Sequence, residues 1–163
     1  GALRAKLAEL GYATLSIQMP VQAKEARPGD YVETFPEAAE RIRVAAGWLK
    51  AKGLDRIAVV SHSLGGRMAG AFFRAGNPAP VSAWASISMG FDDYKGVRVP
   101  VFDLYAEDDH PPVMEMTQAR KATLPKGSKQ QRMAGAEHFY VGKEHEAASV
   151  VATWLDQVLK PRR

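Results

Sequence analysis

The chain has no cysteine, which excludes a disulfide framework and a thiolate metal site but does not distinguish cytoplasm from periplasm. No apolar run approaches the ~20 residues a membrane helix needs, so nothing reads as a bilayer span. The excess of basic over acidic residues is small, 22 against 18 for a net charge of +4. These basic residues are scattered except for Lys160-Pro161-Arg162-Arg163, and no aromatic residues interleave with them, so the pattern is a solvated surface and no nucleic-acid partner is expected. No Gly-Lys-Ser or Gly-x-Gly-x-x-Gly pattern surrounds Gly65-Gly66, which excludes a phosphate loop. Asp108, Asp109 and His110 are adjacent and cannot all converge on one ion; neither a metal nor a cofactor is expected. What remains is ordinary in composition, 163 residues of which 46% are apolar and 25% charged, enough for a single domain over 1–163 with a sizeable core.

The informative property is rhythm. Leu3, Leu7 and Leu10 lie on one face of a helix that Gly11 stops. Ala13 to Ile17 then reads as a strand ended by Pro20, and Gln22 to Thr34, with Pro28-Gly29-Asp30, as a loop. Thr34 opens a helix with a core face of Ala38, Ile42, Ala45, Ala46 and Leu49, stopped near Gly53. The β-branched run Ile57-Ala58-Val59-Val60 is a buried strand, and a helix follows from Arg67 to Arg74. After a break at Gly76-Asn77-Pro78 the pattern predicts strands over Ala83–Met89 and Val99–Tyr105. It continues with a helix around Val113–Thr123, a short strand around Gln130–Ala134, and a last helix from about Lys143 that places Ala147, Val151, Trp154, Leu155 and Val158 on one side. Such alternation predicts an α/β protein, a three-layer α/β/α sandwich around a mostly parallel sheet.

Between the Ile57 strand and the Arg67 helix stands Ser61-His62-Ser63-Leu64-Gly65-Gly66. In a tight strand-to-helix turn the central Ser63 is held in a strained backbone conformation that lifts its hydroxyl clear of the sheet edge. Gly65 and Gly66 let the helix pass close to the strand, and Ser61, where a side chain would crowd the turn, is the mildest departure from Gly-x-Ser-x-Gly. A serine hydroxyl needs a base to take its proton, and the base needs an acid to fix its tautomer. Of the four histidines, His62 reads as a packing residue facing away from Ser63, His145 as a surface residue among Glu144 and Glu146, and His110 as a loop residue. His138, in Gly135-Ala136-Glu137-His138-Phe139 just past the last strand, is the candidate base.

The elbow in this context, followed in order by a carboxylate and a histidine, resembles the α/β-hydrolase superfamily over nearly the whole chain. The resemblance implies a serine hydrolase that cleaves an ester or related acyl bond of a small molecule through an acyl-enzyme, with Ser63 as nucleophile, His138 as base and the backbone N–H of Leu64 as one oxyanion donor. Its acid comes from the turn after the Val99–Tyr105 strand, where Glu107, Asp108 and Asp109 compete; the superfamily's spacing from Ala106 gives Asp109, with Asp108 next. Gly11-Tyr12-Ala13-Thr14-Leu15-Ser16 and the short connection Gly90–Arg98, which leaves no room for a cap domain, are similar to bacterial hydrolase-like proteins of unassigned activity. An open, shallow site is therefore expected.

The resemblance further implies that the chain corresponds to the C-terminal two-thirds of the fold. A strand that the superfamily places between the Thr14 and Ile57 strands is not in the sequence, nor is the loop that carries the second oxyanion donor. The sheet is then expected to leave a gap there, to close over it, or to self-associate through exposed edges. A non-catalytic binding domain on the same fold is the alternative reading, with Ser61 as its sequence correlate.

Overall fold

Four strands, all parallel and in the order β1 (Ile57–His62), β2 (Val81–Ile87), β3 (Val101–Asp108) and β4 (Lys129–Glu137), form the middle layer of the computed structural model. It describes residues 2–76, 78 and 80–159; Gly1, Asn77 of the expected chain break, Ala79 and the basic tail Lys160–Arg163 lie outside them. Parallel strands must be covered on both faces, and the helices divide accordingly. On one face α2 (Phe35–Ala51) and α3 (Leu64–Arg74) bury Ile42, Ala46, Ala69, Phe72 and Phe73 against Trp84 and Val101. On the other α1 (Ala2–Glu9) and α6 (Glu144–Val158) bury Leu7, Val151, Trp154 and Leu155 against Ala83, Phe102, Leu104 and Met133. The α/β/α sandwich that the periodicity predicts is the architecture found.

Element boundaries differ in instructive places. The strand after the elbow helix begins at Val81 and ends at Ile87, and β3 and β4 run on to Asp108 and Glu137, beyond the apolar runs that announced them. Their last residues are polar because they emerge at the sheet edge where the site lies. The single helix expected over Val113–Thr123 is two, α4 (Pro111–Glu115) and α5 (Thr117–Thr123). At the junction the Thr117 hydroxyl donates to the Met114 carbonyl at 2.8 Å, a side-chain bond that competes with the helical ladder.

The strand expected over Ala13–Ile17 is not formed: residues 12–23 have no regular secondary structure. The segment is paired with none of the four strands described. A lone β-pattern has no ladder to join, and the segment from Tyr12 to Ile17 lines, together with Ala58, Val59 and Val60 of the edge strand β1, a cleft of about 1510 Å³. Among the described strands β1 pairs on one side only, with β2.

Candidate active site

At the C-terminal end of β1 the chain turns sharply. Ser63 has φ 53° and ψ −123°, in the left-handed half of backbone space that a side chain disfavours. It is held there by bonds on both sides: its N–H donates to the Ile87 carbonyl of β2 at 2.9 Å, and its carbonyl accepts from the Gly66 N–H at 2.8 Å. Gly66 is required by packing, since a Cβ there would stand 2.9 Å from Met89 Cγ. Gly65 is not, because a Cβ there would meet nothing within 4 Å; of the two glycines expected to allow close passage, only Gly66 does so. Ser61 fits without crowding: its hydroxyl accepts the indole N–H of buried Trp84 at 2.8 Å.

The Ser63 hydroxyl donates to Nε2 of His138 at 2.9 Å, and His138 Nδ1–H donates to Asp109 Oδ1 at 2.5 Å. Of the competing carboxylates it is Asp109 that meets the imidazole. Asp108 is exposed at the end of β3, and Glu107 pairs with Arg132. The fourth predicted residue, Leu64, is the first residue of α3, so its N–H lacks a helical acceptor and stays available.

Each member is held by a second layer. Asp109 also accepts from the Ser88 hydroxyl and from the N–H groups of Ala106 and His110, both at 2.9 Å. Burial pushes its carboxyl up, but the bonds from Ser88, His138, Ala106 and His110 more than offset it and hold it below the usual carboxylate range. The Tyr140 hydroxyl lies 3.1 Å from that of Ser88. The His138 loop is pinned by Glu137, whose carboxylate accepts the N–H groups of Phe139 and Val141 at 3.0 and 2.9 Å. His62, read from the sequence as a packing residue, donates from Nε2 to the His138 carbonyl at 2.8 Å; burial lowers its pKa and keeps it neutral. His110, read as a loop residue, stacks on the His138 ring with centroids 3.7 Å apart and planes 11° from parallel. His145 is exposed on α6 as expected.

Ser88, Tyr140, Glu137 and the stacking of His110 escaped the sequence reading. They sit in short connections where no periodicity operates, and their partners are distant in the chain. A local feature marks two of them, Ser88 and Tyr140: the non-glycine residues with positive φ among those described are Ser63, Ser88, Phe91 and Tyr140, at 51° to 61°, and all four belong to this neighbourhood. Strain of this kind costs about 1–3 kcal/mol per residue and collects where a site must hold a set geometry.

Ser63 and His138 line a cavity of about 140 Å³ together with Leu64, Arg67, Phe91 and His110. The connection between β2 and β3 is a loop. The larger cleft along β1 reaches His62 and Gly65 but is not lined by Ser63, Asp109 or His138. No group of three or more acidic or histidine side chains among the described residues is placed to hold a metal ion, and no described helix is long and apolar enough to cross a membrane.

No protein-family model matches the sequence, and no curated protein matches it either. Solved structures do. Over 97% of this chain and 78% of the other, the backbone is similar to a dienelactone hydrolase from Anabaena variabilis, with TM-score 0.73 and 22% identity. An alpha-beta serine hydrolase homologue from Coxiella burnetii is matched over 93% of this chain and 73% of its own, with TM-score 0.62 and 16% identity. A predicted CIB-like hydrolase from Thermoplasma acidophilum is matched over 81% and 65%, with TM-score 0.63 and 20% identity. The chain thus spans about two-thirds to four-fifths of the lengths of these neighbours. With its parallel sheet, flanking helices and strand-to-helix turn at Ser63, it has the α/β-hydrolase fold.

Proposed function

We propose that the protein is a serine hydrolase that cleaves an ester or related acyl bond of a small molecule through a covalent acyl-enzyme. The observation that carries this reading is the unbroken chain of hydrogen bonds from Ser63 to His138 to Asp109. Asp109, ionised, fixes the proton on His138 Nδ1 and leaves Nε2 to accept the serine proton as Oγ attacks the carbonyl carbon. His138 then returns that proton to the leaving alcohol, and in the second half it activates water to release the acid. The Leu64 N–H meets the developing oxyanion, a role in which one donor contributes about 3 kcal/mol. The hydrolase and esterase neighbours are consistent with this chemistry at the level of the fold.

The test is covalent labelling. A fluorophosphonate should modify Ser63, Ser63→Ala should abolish the labelling and His138→Ala should nearly do so, because without its base the hydroxyl stays protonated and unreactive. Short p-nitrophenyl esters are the first substrates to try, since the small cavity offers little grip on a long chain. A cooperatively folded protein that neither labels nor cleaves would favour a binding domain, although Ser61 no longer argues for one now that its hydroxyl has a partner in Trp84.

A further inference from the structure

The cavity beside Ser63 is lined by one permanent cation, Arg67, and by no carboxylate. Arg67 lies four residues beyond Ser63 on α3, and both side chains face this space. A guanidinium has five N–H donors. Among the described residues a single acceptor meets them, the Pro28 carbonyl, 2.9 Å from Nη1. Nε is buried with no partner, and no described carboxylate stands within ion-pair distance. Two other arginines differ in having a carboxylate: Arg74 pairs with Asp92, and Arg120, whose Nη2 is likewise buried without a partner, pairs with Asp103.

The surroundings make that unanswered charge count. The Phe35 ring centroid is 5.2 Å from the guanidinium and that of Phe91 6.0 Å, so aromatic rings flank the half-buried group. Pro112 and Val113 continue the apolar wall. Attraction to an anion rises as the local dielectric falls, and guanidinium is the side chain best matched to a carboxylate. A volume of about 140 Å³ is below the ~300–1,000 Å³ usual for drug-sized ligands, so the group admitted must be short.

We propose that Arg67 binds an anionic group on the substrate, and that the preferred substrates are small esters carrying a carboxylate a few bonds from the scissile carbonyl. This rests on the reading of Ser63 as the nucleophile. Its role is specificity: Arg67 neutralises and orients the free carboxylate while the bond-making groups remain Ser63 and His138.

The experiment compares mono-p-nitrophenyl succinate with p-nitrophenyl 4-methylpentanoate, a neutral ester of nearly the same shape. The protein should prefer the succinate in kcat/KM by roughly tenfold or more, the scale of one charged hydrogen bond, and the preference should shrink as salt is added. Arg67→Gln should bring the ratio close to one, chiefly through KM for the succinate, and Arg67→Lys should restore part of it. Equal rates for the two esters in the unmodified protein, or an equal loss for both in Arg67→Gln, would overturn the proposal. Calorimetric binding of monomethyl succinate to Ser63→Ala, and to the same variant carrying Arg67→Gln, gives a readout free of catalysis. Binding that depends on Arg67 in a protein that never labels at Ser63 would sink the hydrolase reading and uphold the anion site; no Arg67-dependent binding would sink the site.

Discussion

Asp103 in the middle of β3 and Asp109 just past its end are both shut away from solvent and both held by several donors. Asp103 receives Nε of Arg120 on both oxygens at 3.1 and 3.0 Å, the Tyr94 hydroxyl at 2.7 Å and the Gln130 amide at 2.8 Å. Arg120 in turn donates to the carbonyls of Met89 and Val113, each at 2.8 Å, tying the strand after-loop to α4. In that network a permanent cation answers the charge and no described hydrogen bond connects it to Ser63 or His138, although Nη2 of Arg120 is buried without a partner. Asp109 has one titratable partner, His138, and through it the hydrogen bonds run to Ser63 and the cavity. Two carboxylates of one connected segment thus differ in the kind of partner each is given, and under the proposed function that difference separates a structural role from a chemical one.

The comparison predicts opposite phenotypes. Asp109→Asn should lower kcat by about 10⁴, because the amide no longer holds His138 in the tautomer that accepts the serine proton. Its effect on stability should be smaller than that of breaking the Asp103 pair, which urea denaturation of the purified variant measures alongside the ester assay. A variant that unfolds but, where folded, turns over normally would reverse the roles assigned to the two aspartates.

Arg120→Met should do the converse. It leaves the Asp103 carboxylate buried with no cation, a change that costs about 3–5 kcal/mol, and it should show as a fall in the urea midpoint. Removing the charge as well, in Asp103→Asn with Arg120→Met, should recover part of that loss. If Arg120→Met left stability within experimental error, the pair would not be the internal clamp described.

These two sites were not equally legible in the sequence. The elbow could be read because strand, strained serine and glycine are consecutive residues, and His138 because a strand end and an ordered set of partners located it. The role of Asp103 is not legible, since nothing local reveals that Arg120, seventeen positions on, will turn inward. The second layer around Asp109 was invisible for the same reason: Ser88 and Tyr140 are brought together by the fold from 52 positions apart. The strand expected over Ala13–Ile17 teaches the complementary lesson. Its alternation is a property of the segment, but strand formation belongs to a pair, and the segment is paired with none of the four strands described.

The histidines sharpen the contrast further. His62 is neutral in the folded protein because burial lowers its pKa from the ordinary 6.5. An unfolded chain therefore binds a proton there that the native state refuses, so the stability this residue contributes is full above about pH 6.5 and falls as pH drops below it. Asp109 acts in the same direction lower down, its contribution being lost as pH falls through its own depressed pKa. His62→Gln keeps a donor for the His138 carbonyl and removes the titration. Its urea midpoint should be flatter than that of the unmodified protein between pH 7.5 and 5.5, and parallel curves would show that His62 is not the group responsible.

The smallest effect is expected next door to the largest. Asp108 is adjacent to Asp109 in sequence, carries the same charge and was the runner-up for the same role, yet it is exposed and lies where β3 pairs with Glu137 of β4. It has no hydrogen bond to His138; that contact belongs to Asp109. Asp108→Asn removes one solvated charge and should change stability by no more than about 0.5 kcal/mol, as surface substitutions usually do. Ester hydrolysis should stay within about twofold of the unmodified protein, because a screened surface charge contributes little to the field at the imidazole. The measurement has value because the two variants differ only in position. If Asp108→Asn lost activity on the scale expected of Asp109→Asn, charge in this turn and not contact with His138 would be what matters, and the distinction drawn between carboxylates by their partners would have to be abandoned.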